Sequence, residues 1–255
     1  MAHHLEQYRL GHFAFPLVNA DNALYSEILE KQHVLALAKA RKTFILSGIL
    51  MFILFFIVPA YLIGSLSFAV IVSRALRLPD PRSHGSGNPG ATNMLRTGHK
   101  SAATLTLIGD MLKGWLAVFL AHRFGAHYGM ESAATYGAAV AVFLGHLYPI
   151  FFGFKGGKGV STVLGILVAI SPWLGGAILV SWLIVFALTR TSSLAALTAA
   201  ALAPIFGIYL IGGTLPLIAL GTISTLIFWR HRANIRRLLA GEEGRFAKPT
   251  SSSQK

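Results

Sequence analysis

Long apolar runs separated by short polar breaks dominate this chain. The first run, FILSGILMFILFFIVPAYLIGSLSFAVIV at 44–72, exceeds the roughly 20 residues a helix needs to cross the hydrocarbon core of a bilayer. Shorter runs follow at 103–122, 133–152 and Val160–Ile170. Ser171-Pro172 then interrupts the pattern, because proline cannot donate to a continuing helix, and a fifth run occupies 173–188. The last two, 194–211 and 214–229, are divided by Gly212-Gly213. The pattern predicts an all-α polytopic membrane protein with about seven transmembrane helices. The fourth and fifth are short enough to be tilted or partly re-entrant. Residues 1–43 form a mixed N-terminal extension, too long to be the basic region of a signal peptide. Within it, 24–37 has helical apolar spacing that suits either an interfacial helix or a plain soluble one. The membrane domain is expected over 44–243, and a disordered polar tail over 244–255.

Composition supports lipid as the solvent. The 255 residues are 54% hydrophobic and 12% charged, against about a quarter charged in soluble domains. The absence of cysteine excludes disulfides and thiolate chemistry. A net charge of +13 would suggest nucleic acid in a soluble protein. In a membrane protein it first suggests Lys and Arg retained on the cytoplasmic face. Parity tests this. With the N-terminus outside, 73–102, 153–159, 189–193 and the tail from Arg230 share one side. They hold Arg74, Arg77, Arg82, Arg96, Lys100, Lys155, Lys158, Arg190 and the arginines of the tail, whereas the opposite short loops hold little beyond Arg123. The C-terminus is therefore expected to be cytoplasmic, with short cytoplasmic loops carrying the polar motifs. Lys31, Lys39, Arg41 and Lys42 run against the rule; the extension either translocates regardless or precedes a natural start near Met51.

Three polar segments fall on that face. RSHGSGNPGATNMLR at 82–96 places Gly85, Gly87 and Gly90 among Ser86, Asn88, Thr92 and Asn93. Glycines let successive N–H groups turn inward as an anion-holding concavity, and Arg82 and Arg96 at its ends can fork onto phosphate. The alternative is a turn-rich connector with ordinary juxtamembrane arginines. GHLYPIFFGFKGGKGVST at 145–162 is one residue short of a P-loop and lacks its strand. Its Lys155, Gly156, Gly157 and Lys158 still suit phosphate near a helix start. His146 there is either a structural hydrogen-bonder or a catalyst. RHRANIRRLLAGEE at 230–243 reads as a basic interfacial helix. Its His231 and Asn234, three apart, share a face that can look into the bundle while Arg232 and Arg236 look elsewhere. Asp110 and Lys113, also three apart at membrane depth, suggest an internal ion pair or a direct role. Arg190, Ser192 and Ser193 mark a further helix end.

In this order and on this topology, LPDPRSHGSGNPGATNMLR with Gly64-Ser65, DMLKG, GHLYPIFFGFKGGKGVST, SSLAA and RHRANIRRLLAGEE resemble the bacterial acyl-phosphate:glycerol-3-phosphate acyltransferase family, PlsY. The resemblance covers about 51–243 and departs only in the extension. It implies transfer of a fatty acyl group from acyl phosphate to the sn-1 hydroxyl of glycerol 3-phosphate. The products would be 1-acyl-glycerol 3-phosphate and phosphate, in phospholipid biosynthesis at the bacterial cytoplasmic membrane. It further implies a monomer in the lipid bilayer, with no cofactor, metal or nucleic acid. On that basis 86–93 would hold the phosphate of the donor, and Arg96 and Lys158, with Lys155, would clamp glycerol 3-phosphate. Ser193, His231 and Asn234 would position or polarise the reacting groups, with Glu242 supporting the third segment. The family's base is the substrate's own phosphate, with His231 or His146 as competitors. None of the ten histidines has Asp five positions on, so the His-x4-Asp mechanism is absent. An organophosphate or lipid transporter is the competing reading, but a carrier places its site near the midplane between repeats, and no repeat is evident.

Overall fold

The computed structural model describes residues 17–244 and 246, and every regular element among them is helical. The chain divides into two compact units, Met1–Met51 and Phe52–Lys255. The described part of the first unit belongs to α1 (Leu17–Phe52), which runs unbroken through the position where the extension was expected to end. Of the tail expected over 244–255, only Gly244 and Phe246 lie within the described residues.

The second unit begins with a π-helical turn, Ile53–Ile57, and α2 (Val58–Gly64). There follow α3 (Phe68–Ala75), α4 (Ala91–Arg96), α5 (Lys100–His127) and α6 (Glu131–Leu147). After a short turn at Ile150–Phe152 come α7 (Val160–Ile170), α8 (Pro172–Thr189), α9 (Ser192–Leu210), α10 (Thr214–Arg230) and α11 (Arg232–Leu239). Among the described residues, five segments are long and apolar enough to cross a membrane: Ser26–Gly64, Lys100–His127, Glu131–Phe152, Pro172–Thr189 and Ser192–Leu210. Val160–Ile170 and Thr214–Arg230 are shorter apolar helices. Exposed Trp173 at the start of α8 and Tyr209 near the end of α9 suit the aromatic belt of a bilayer interface.

The apolar run at 44–72 is not one helix. It breaks between α2 and α3, and the ammonium of Lys113 on α5 donates to the Leu66 carbonyl there at 2.6 Å. A backbone group freed at membrane depth must find a partner inside the protein, and Lys113 provides it. Its charge is balanced by Asp110, 2.8 Å away, and both side chains are almost fully buried. His146 Nδ1 lies 3.6 Å from the same carboxylate and 3.1 Å from Thr162 Oγ1, tying α6 and α7 to this pair.

Between helices in lipid, small residues let backbones approach closely where no hydrophobic drive exists. A Cβ on Gly64 would meet the Val142 carbonyl at 2.1 Å, and one on Gly145 the Tyr61 carbonyl at 2.2 Å, so α2 and α6 touch backbone to backbone. Gly114 and Gly165 do the same for α5 and α7. The interior is then filled by Phe143, Leu147, Ile166, Leu167 and Leu220, all under 2% exposed. This packing holds the polar connections at one end of the bundle.

Candidate active site

At that end two cavities adjoin. The larger, about 620 Å³, has a polar mouth lined by Ser86, Asn88, Gly90, Thr92, Asn93, Arg96, His146, Lys158, Ser193, His231 and Asn234. Behind the mouth its walls are apolar, from α7, α8, α9 and α10. The smaller, about 380 Å³, shares Ser86, Asn88, Arg96, Lys158, Asn234, Arg237 and Glu243 with it and adds Arg230. Four cations against one carboxylate, Glu243, make it an anion site.

The first loop is knitted from within. Asn93 is buried, and its Oδ1 accepts from the Ser86 N–H at 2.9 Å and from Ser86 Oγ at 3.2 Å. Its Nδ2 donates to the carbonyls of Pro81 and His84. Asn93 therefore shapes the loop, leaving Ser86, Asn88 and Thr92 to face the cavity. Gly85 and Gly87 sit at φ 59° and 67°, the left-handed region that glycine adopts without penalty. Arg82 differs from the sequence reading. It forks onto Asp80, with Nη2 2.7 Å from Oδ2, and donates to the Phe152 carbonyl. That bonding holds the Asp80 carboxyl down at about 2. The pair is two residues apart on one turn, so Arg82 braces the loop, and of its two terminal arginines it is Arg96 that lines both cavities.

The second loop packs beneath the first. A Cβ on Gly157 would come 2.4 Å from His146 Nε2 and 2.9 Å from the Pro89 carbonyl, so only glycine lets the two loops meet. Arg230 donates to the carbonyls of Gly156 and Gly157 at 2.8 and 3.2 Å, locking the turn to the end of α10. Gly156 and Gly157 are thus buried joints and do not line either cavity, and Gly87 is an exposed hinge of its loop. Lys158 projects into both cavities, whereas Lys155 is exposed and lines neither. Gly159, at φ 81° ahead of α7, turns the chain between them.

The third segment closes the mouth. His231 and Asn234 are 2% and 4% exposed, while Arg232 and Arg236 point outward. Glu243, which sequence reasoning missed in favour of Glu242, is the organiser. Its Oε1 accepts from Ser193 Oγ at 2.7 Å and Asn234 Nδ2 at 2.6 Å, and its Oε2 accepts from Arg237 Nε at 2.7 Å. Burial alone would raise this carboxyl, but those three donors outweigh it and hold it below the usual range. Glu242 is exposed and outside the cluster, because the chain turns at Gly241, φ 72°. Lys158 Nζ completes the network by donating to Asn234 Oδ1.

Burial, reinforced by Arg237, Arg96 and Arg230 and opposed by Glu243, brings Lys158 down to about 8. Burial and the Lys158 charge bring His231 down to about 4. His231 is thus neutral near pH 7. Its Nδ1 lies 2.9 Å from the Ile227 carbonyl. A carbonyl only accepts, so Nδ1 carries the proton and Nε2 is left as an acceptor. Among the described residues no cluster of ligands suits a metal ion.

Known proteins agree in outline. A family model described as glycerol-3-phosphate acyltransferase matches residues 54–241. The glycerol-3-phosphate acyltransferase of Paraburkholderia phymatum is 61% identical over 188 residues, 74% of this chain and 90% of that protein. That of Methylobacillus flagellatus is 58% identical over 193 residues, 76% of this chain and 96% of that protein. A crystal structure of PlsY, an integral membrane glycerol 3-phosphate acyltransferase, in its glycerol 3-phosphate form aligns with a TM-score of 0.71. Its identity is 40%, over 76% of this chain and 95% of PlsY. The lysophosphatidic acid form aligns at 0.69, with 39% identity over 78% and 95%.

Proposed function

Because this chain belongs to the glycerol-3-phosphate acyltransferase family, we propose that it transfers a fatty acyl group from acyl phosphate to the sn-1 hydroxyl of glycerol 3-phosphate. One observation carries the reading: a single cavity joins a polar, cationic mouth to an apolar interior, beside a second, cationic pocket. The apolar part suits the acyl chain and the mouth its phosphate. The second pocket suits glycerol 3-phosphate, the substrate bound in the first PlsY form.

In this reading the Ser86–Thr92 side of the mouth holds the donor's phosphate, and Arg96, Lys158 and Arg237 hold that of glycerol 3-phosphate. The hydroxyl oxygen bonds to the acyl carbon, the carbon–oxygen bond to phosphate breaks, and inorganic phosphate departs with its electron pair. The donor is already an activated mixed anhydride, so positioning and charge stabilisation supply the rate. The hydroxyl's proton needs a base. His231, held down to about 4 by burial and the Lys158 charge, is a poor base, which leaves the substrate's own phosphate, with its acceptor oxygens, to take the proton. His231 Nε2 then serves as an acceptor that orients the hydroxyl. Ser193 is disfavoured as a nucleophile, because a carboxylate shared with Asn234 and Arg237 is a poor base.

The membrane topology follows the charge pattern: seven spans, the mouth and C-terminus on the cytoplasmic side, and the N-terminus outside. The test is phosphate release by purified protein in detergent. Acyl phosphate and glycerol 3-phosphate together should release phosphate steadily. Omission of glycerol 3-phosphate should abolish it, and no release from the complete mixture would overturn the reading.

A further inference from the structure

The depth of the larger cavity is fixed by three helices that agree with one another. On α9, cavity-lining residues run from Ser192 and Ser193 at the mouth to Ala203, and Ala203 is eleven residues from the start of the helix. On α8 the deepest is Ile178, eleven residues from the end at Thr189. On α10 it is Leu220, ten residues from the end at Arg230. At 1.5 Å per residue, each places a floor about 15 to 17 Å below the mouth.

The floor is solid. Ala203, Ile178 and Leu220 are 4%, 6% and 1% exposed. Pro204 next to Ala203 has no N–H to give the Ala200 carbonyl, and Ser224 on α10 takes that carbonyl instead at 2.7 Å. The bond staples α9 to α10 immediately above the floor. Beneath it Leu220 fills the notch left by the absent side chain of Gly207, where a Cβ would meet its Cδ1 at 2.4 Å.

We infer that Ala203 and Leu220 are the ruler that sets acyl-chain length. This rests on the acyl-phosphate reading above. Carbon–carbon bonds of about 1.5 Å at angles near 111° advance an extended chain by about 1.25 Å per carbon. The cavity therefore seats about thirteen carbons beyond the mouth. Each buried methylene adds about fourfold to kcat/KM, the factor equivalent to ~0.8 kcal/mol. Beyond that length the floor offers nothing more, and selectivity levels off.

The experiment measures kcat/KM for acyl phosphates from eight to eighteen carbons, at saturating glycerol 3-phosphate. Wild type should climb steeply to about fourteen carbons and then flatten. Ala203→Leu adds three carbons to the floor and should move the break down by about three. Leu220→Ala opens the notch at Gly207, one helical turn or about 6 Å deeper, and should move it up by about five. The readout is the ratio of long-chain to short-chain kcat/KM, which a uniform loss of folded protein leaves unchanged. Opposite shifts in the two variants support the ruler. Breaks that stay at the wild-type length in both variants overturn it while the enzymatic reading stands. Turnover with no acyl phosphate of any length overturns the enzymatic reading and the ruler together.

Discussion

Replacing Glu243 with Gln should cripple the site while changing almost no volume. The carboxylate accepts from Ser193, Asn234 and Arg237 at 2.6 to 2.7 Å. Glutamine keeps one acceptor oxygen, which can serve both Ser193 and Asn234 as Oε1 does. Its NH2 group brings two donors towards Arg237, which has only donors to offer. At least one charge-assisted bond is therefore lost, worth about 1.5–3 kcal/mol. Repulsion between the new NH2 group and Arg237 pushes the amide off the position that also holds Asn234, the residue to which Lys158 donates. If that energy is expressed in the transition state, kcat/KM for glycerol 3-phosphate falls about 10- to 150-fold. The assay is phosphate release at saturating acyl phosphate, with Glu242→Gln as the control. That variant removes the same charge one residue away, from an exposed side chain, and should stay within about twofold. The folded pKa of Glu243 is depressed, so its bonds are present above the ordinary carboxylate range and fade only as pH falls below it. The wild-type to Glu243→Gln ratio should consequently be flat from pH 6 to 7 and rise above that, because the lost Glu243 charge also supported the Lys158 ammonium. Equal activity of the two variants would refute the role given to this carboxylate.

Three further outcomes follow from the geometry. Because Lys158 sits at about 8 in the free protein, kcat/KM should decline as pH rises through 8 and the ammonium is lost. Lys158→Arg should move that limb upward, and an unmoved limb would assign it to another group. Gly157→Ala forces a Cβ to within 2.4 Å of His146 Nε2 and should cost about 1–3 kcal/mol in detergent unfolding, with activity down at least tenfold; a neutral effect would show that the loops are not so closely joined. Lys113→Met strands both Asp110 and the Leu66 carbonyl, at a cost of about 3–5 kcal/mol. Adding Asp110→Asn should recover part of it, and thermal unfolding of the single and double variants tests the coupling.

The helices were legible because apolar runs in a membrane protein are bounded by polar breaks that the bilayer will not tolerate. The break within 44–72 was not, since Ser65, Leu66 and Ser67 carry no proline. What permits it is Lys113, a residue 47 positions away from Leu66. The inward face of His231 and Asn234 can be read from their spacing on a helix. Beyond Gly241 the helix has ended, so periodicity gave no means of choosing between Glu242 and Glu243; left-handed backbone at the glycine decides it. Lys155 and Lys158 look alike in sequence, yet the turn through Gly156 and Gly157 exposes one and aims the other into the cavities. Arg82 has the charge to suit a phosphate, but Asp80, two residues before it, takes its guanidinium. That neighbour was the available signal.

Direct transfer between two bound substrates is decided by a single-turnover experiment. Enzyme in excess is mixed with acyl phosphate labelled in the acyl group, first without and then with glycerol 3-phosphate. Direct transfer gives no phosphate burst and no label on protein in the first mixture, and equal amounts of phosphate and sn-1 acylated product in the second. A phosphate burst matching the enzyme concentration without glycerol 3-phosphate, with label covalently on Ser193, would contradict it.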